Sequence, residues 1–117
     1  MAKPATGDLD RRITFQRATK TNNEFNEPVE VWGDIGSVWT KRHDFSDSQR
    51  IEFLAAGKVS AFAVSRFTVR STSLTRSITP IDRLTHEGAV WQINSVKEVA
   101  EGGRRGYLEI TASRSAD

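Results

Sequence analysis

Two tryptophans, Trp32 and Trp39, flank Gly33-Asp34 inside a run rich in β-branched residues, Val29-Glu30-Val31-Trp32-Gly33-Asp34-Ile35-Gly36-Ser37-Val38-Trp39-Thr40-Lys41-Arg42. Such residues favour a pleated strand. A two-residue Gly-Asp link between two strand-like runs is a hairpin signal, because glycine reaches positive φ at no steric cost. The stretch therefore predicts strands near 29–32 and 35–42 joined by a turn at Gly33-Asp34. Alternation puts Ile35, Ser37 and Trp39 on one side and Gly36, Val38 and Thr40 on the other. Apolar groups on both sides predict a central strand of a small curved sheet. Burying one tryptophan removes about 150–250 Å² from water, worth about 4–6 kcal/mol gross as an upper bound. Trp32 and Trp39, with Trp91, are therefore expected to anchor the core.

The chain has 117 residues, enough for one domain that buries a core without metals or disulfides. That domain is expected over 8–112, between a flexible N-terminus (1–7) and a flexible C-terminus (113–117). With no cysteine, disulfides, thiolate metal sites and thiol nucleophiles are excluded. No apolar run approaches the length needed to cross a bilayer, and Met1 to Gly7 lacks the apolar core of a signal peptide, so a soluble, unexported chain without a membrane partner is expected. Seventeen Lys and Arg against fifteen Asp and Glu leave a formal charge of +2, too small to imply nucleic-acid binding by itself. The distribution is more informative. Residues 21–35 carry Glu24, Glu27, Glu30 and Asp34 with no base, whereas 59–83 carry Arg66, Arg70, Arg76 and Arg83 against Asp82 alone. Patches of opposite sign on one small domain suit head-to-tail contact between copies.

Leu9 to Arg17 alternates with period two and predicts a strand at about 10–17. Ala18 to Pro28, polar around Phe25, predicts a loop whose phenylalanine folds back onto the sheet. Ser46-Asp47-Ser48-Gln49 has the form of a capping box. Ile51, Leu54 and Ala55 follow at helical spacing, predicting a short helix near 47–56. In Val59 to Arg70 the apolar parity switches, predicting a bulge or bend near Ser65. Ser71 to Ser77 predicts an exposed loop, Ile78 to Leu84 a proline turn and strand end, and Glu87-Gly88 a turn into a strand at 89–96. Gly102-Gly103 closes a second hairpin with 107–112. The sum is mainly β: about six or seven short strands and one short helix in a small antiparallel β-barrel, or an open sheet with a helix on it.

No catalytic constellation emerges. His43 and His86 are isolated from metal-ligand spacings, no serine sits in a nucleophile elbow, and Gly102-Gly103-Arg104-Arg105-Gly106 lacks the helix and lysine of a phosphate loop. No enzyme, cofactor or metal is expected. Arg66, Thr68 and Arg70 line one strand face, able to meet phosphates or a neighbour's carboxylates. The candidate subunit interface is therefore Glu24, Glu27, Glu30 and Asp34 against Arg66 and Arg70.

The order of motifs resembles the phage head-tail joining proteins, the stopper or head-completion subunits of long-tailed phages and gene transfer agents. The likeness runs over roughly residues 8–112. It rests on Leu9-Asp10-Arg11-Arg12-Ile13-Thr14-Phe15-Gln16-Arg17, then Asn23-Glu24-Phe25-Asn26-Glu27-Pro28 and the two tryptophans. Ile78-Thr79-Pro80 with Asp82-Arg83, and Gly88-Ala89-Val90-Trp91-Gln92-Ile93, complete it. The resemblance implies a structural virion protein: a homo-oligomeric ring, hexameric ahead of dodecameric, in the neck of a phage or gene transfer agent particle, assembled in the bacterial cytoplasm. Portal and adaptor proteins stand above it and tail terminator or tail tube proteins below. Double-stranded DNA is held non-specifically in the channel. It also implies that the segment between Trp39 and Phe62 projects into that channel, which makes Arg50 and Lys58 DNA-facing and competes with a helix docked on the barrel. The alternative is an OB-like single-stranded nucleic-acid-binding module with Trp32, Trp39 and Trp91 as stacking platforms.

Overall fold

The computed structural model describes residues 9–46, 63–99 and 106–114. Along them run β1 (Arg11–Asn22), β2 (Pro28–Asp44), β3 (Ala63–Arg70), a single-turn helix α1 (Ser73–Arg76), β4 (Arg83–His86), β5 (Ala89–Glu98) and β6 (Tyr107–Arg114). The strands close into an antiparallel barrel in the order β1-β2-β3-β6-β5-β4, with β4 returning to pair with β1 across Phe15 and Leu84. The small mainly β barrel expected from turn spacing is the fold observed.

Alternation fills the interior. Ile13 and Phe15 of β1, Phe67 and Val69 of β3, Leu84 of β4, Trp91 and Ile93 of β5, and Leu108, Ile110 and Ala112 of β6 form one buried cluster. Trp91 is its largest member, 1% exposed, and meets Phe67 edge to face at 5.5 Å between ring centroids.

The tryptophan-flanked stretch departs from the expected hairpin. β2 passes through Gly33-Asp34 without turning, paired to β1 from Pro28 to Thr40. The pair instead turns at 23–27. There the Asn23 side chain accepts from the backbone N–H groups of Phe25 and Glu27, and Asn26 takes the left-handed φ of 60°. Asparagine side chains mimic a turn in this way and tolerate that backbone. The predicted loop at 18–28 is thus mostly strand, and Phe25, 73% exposed, does not fold back on the sheet.

The Gly-Asp signal marks a bulge. Phe15 lies opposite Gly36 but Gln16 opposite Asp34, so Ile35 is an extra residue on β2 and turns in against the core. From Gly36 onward the even residues face inward and Trp39 faces out, 52% exposed. Trp32, half-buried on the outer side, lies under Arg83 instead of in the core. The core forms without either, and of the three expected anchors only Trp91 belongs to it.

Three further expectations change. β3 has no register shift at Ser65, because both of its faces are covered and parity need not switch. The expected exposed loop at 71–77 holds α1. Thr72 and Thr75 exchange side-chain-to-backbone hydrogen bonds in a capping box, Thr75 is fully buried, and Leu74 packs on the core. Ser113 and Arg114 belong to β6, Ser113 being paired to both Val64 and Gln92. Glu87-Gly88 is the turn expected, with both residues at positive φ as a two-residue hairpin of the mirror-image type requires. The helix expected near 47–56, the hairpin tip expected at Gly102-Gly103, the N-terminal segment 1–7 and the remainder of the C-terminal segment expected at 113–117 lie outside the described residues.

Candidate subunit interface

β1 and β2 are longer than the strands they close against. β4 pairs with β1 only at Thr14 to Gln16, and β3 with β2 only from Thr40 onward. The far ends, 17–22 and 28–33, therefore leave the barrel as a two-stranded arm. Beyond the bulge Thr19 pairs with Val31 and Thr21 with Val29, on the side that continues the barrel interior. Val29 and Val31 stand exposed there, a strip of core-facing sheet with nothing packed on it among the described residues. The tip holds Phe25 between Glu24 and Glu27, and Glu30 lies farther down; all are exposed.

The arm is braced at its root. Arg17 donates from Nε and Nη2 to the two carboxylate oxygens of Asp82 at 3.0 and 3.1 Å, and from Nη2 to the Ser77 carbonyl at 3.1 Å. The backbone N–H of Thr79 donates to Asp82 at 3.0 Å. Burial by itself would raise the Asp82 pKa, but these donors and the Arg17 charge outweigh it and hold the carboxyl below its ordinary value; Arg17 is raised in turn, first by its hydrogen bond to Asp82. On the outer side Arg83 donates to Gln16 at 2.8 Å, Gln16 donates to Asp34 at 2.8 Å, and the Arg83 guanidinium stacks 4.1 Å from the Trp32 ring centroid. Asp34, expected at the interface, is thus engaged within its own chain, whereas Glu24, Glu27 and Glu30 sit on the projecting part.

The basic set divides as well. Arg66 points outward from β3 but pairs with the buried Glu109 at 2.9 Å, which Lys97 also approaches at 3.3 Å, and it stacks on Phe45. Arg70 lies on the same face at the rim of an apolar cleft of about 450 Å³ lined, among the described residues, by Leu9, Val38, Trp39, Arg70 and Thr72. Arg12 stacks over Trp39 at 5.1 Å, and Lys41 follows Trp39 on the outer face. Arg76 donates to Ser71. Arg50 and Lys58 lie outside the described residues. The cleft was missed in the sequence because it needs the bulge: only after Ile35 shifts the register does Trp39 face outward beside Arg12.

The histidines take structural positions. His43 is exposed, while buried His86 donates from Nδ1 to the Arg12 carbonyl at 2.9 Å, the carbonyl being able only to accept. Asp44 is held below the ordinary carboxylate range first by the Ser65 hydroxyl and then by Arg42. Among the described residues no group of three or more carboxylates and histidines is placed to hold a metal ion, and no helix is long and apolar enough to cross a membrane.

Residues 4–115 match the family model described as phage head completion protein. The fold is similar to the solution structure of protein SF1141 from Shigella flexneri 2a, at 24% identity and TM-score 0.69, covering 96% of this chain and 97% of that one. It is also similar to a chain in the virion of a native gene transfer agent particle, at 22% identity and TM-score 0.60, covering 89% and 92%. No curated protein sequence matches.

Proposed function

The chain belongs to the phage head completion protein family and is a structural virion protein, and from that premise we propose that it is the stopper of a head-tail connector. In this reading copies form a ring, hexameric ahead of dodecameric, beneath the portal and adaptor. The ring retains packaged DNA and offers its far face to the tail terminator or tail tube. The observation that carries it is the bare, acid-tipped arm on a barrel whose opposite end is basic. One patch that meets a different patch on the next copy is what a rotational ring needs. DNA is retained by obstruction and non-specific attraction to phosphates, to which Arg50 and Lys58 would contribute, without reading bases.

The single-strand-binding alternative loses support, since Trp91 is buried and Trp32 and Trp39 each carry an arginine over the ring. Oligonucleotides are expected to leave tryptophan emission unchanged, and salt-sensitive quenching would favour that alternative. The decisive experiment is imaging of particle necks with this subunit labelled, beside particles made without it. A labelled collar, and heads that lose their DNA when the protein is missing, are expected; finished, infectious particles that lack the polypeptide would end the proposal.

A further inference from the structure

We infer that the arm tip of one copy seats Phe25 in the Leu9-Val38-Trp39 cleft of the next copy, so that the occupant of the cleft is a second copy of this chain. The inference rests on the ring reading above and names its contact. Phe25 is the most exposed aromatic side chain described, at the end of a ribbon whose root is clamped by Arg17 and Asp82. An exposed aromatic on a pre-ordered hairpin costs little to immobilise and buries a large apolar area on docking.

The cleft is apolar, has room for an aromatic ring and is walled by half-exposed Trp39. Charge matches on the two sides. Residues 18–32 hold Glu24, Glu27 and Glu30 against Lys20, while Arg70 lines the cleft, Arg12 stacks on its Trp39 wall and Lys41 follows Trp39 on the same strand face. Burying the ring would bring those acids beside those bases, which favours this docking and penalises tip-to-tip pairing.

The occupant cannot be the chain's own tip. Arg12, beside the cleft, and Asn22, below the tip, are ten strand residues apart on β1, roughly 33 Å at strand rise. Knob and hole at opposite ends of a braced ribbon can meet only between copies, and the contact is head-to-tail.

The test uses particles whose subunits carry Glu24→Cys and Lys41→Cys, which leave Phe25 and Trp39 in place. The natural chain has no cysteine, so between copies of this chain a short bis-maleimide can bridge only the introduced thiols, and a ladder at multiples of the subunit mass reports those bridges. A ladder of covalent multimers from the double variant, and none from either single variant, is expected. Phe25→Ala should lower incorporation into particles roughly tenfold and Phe25→Trp should preserve it. Subunit present in the neck without a ladder, dimers from Glu24→Cys alone, or normal incorporation of Phe25→Ala would overturn this contact while leaving the stopper reading in place. Absence of the wild-type chain from the neck would overturn the stopper reading and this inference with it.

Discussion

The three tryptophans illustrate how little residue type alone decides. Trp91 lies in Ala89-Val90-Trp91-Gln92-Ile93, where simple alternation puts it with Ile93, and it is buried. Trp39 has equal apolar mass but follows a bulge that shifts parity, and it faces out. Truncating Trp91 to Ala should therefore destabilise the fold by about 3–5 kcal/mol, and Trp39→Ala by no more than about 1 kcal/mol, as read from urea midpoints. Asp82 gives a prediction in pH. Its folded pKa lies below the unfolded value of about 3.9, so the unfolded chain binds more protons as acid is added. The contribution is fully present above the unfolded value and is lost as pH falls through the folded one. Urea midpoints between about pH 5 and pH 2.5 should fall less steeply in Asp82→Asn than in wild type, starting from a lower value at neutral pH.

Elements whose signals are local were legible. The Glu87-Gly88 turn, the strand after it and the partner at 107–112 all follow from turn residues and alternation. The arm did not, because its register is settled by pairing across the sheet: Gly33-Asp34 carries hairpin chemistry but lies opposite Gln16 and Arg17, which hold it in the ladder. The signal that could have located the real turn was Asn23 and Asn26, one suited to a side-chain turn and the other to left-handed backbone. α1 was hidden because Thr72 and Thr75, read as loop residues, cap each other. The bulge makes a sharp prediction. Deleting Ile35 restores continuous register, with Gly36 still opposite Phe15 and Asp34 opposite Gln16, so each arm residue keeps its face while the bend and added twist that aim the arm are lost. The barrel should survive with a loss of about 1–3 kcal/mol by thermal unfolding, while incorporation into particles falls to background. A ΔIle35 chain that still assembles would show that arm orientation is immaterial.

For the molecule as a whole, the charge segregation visible in the sequence was half spent on folding. Arg66 neutralises buried Glu109, and Asp34 joins the Arg83-Gln16 chain. Charge reversal at Arg66 should therefore lower stability along with assembly. Lys41→Glu should weaken assembly alone and be rescued by Glu27→Lys, a separation readable by comparing melting curves with particle incorporation. The braced ribbon that carries the acidic tip has a geometric corollary. If knob and socket sit at its two extremities, its span acts as a spacer that dictates the pitch from one protomer to the next. Lengthening each arm strand by two residues preserves which side chains share a face yet stretches that interval, so electron micrographs should show collars of altered circumference or open spirals in place of a closed circle.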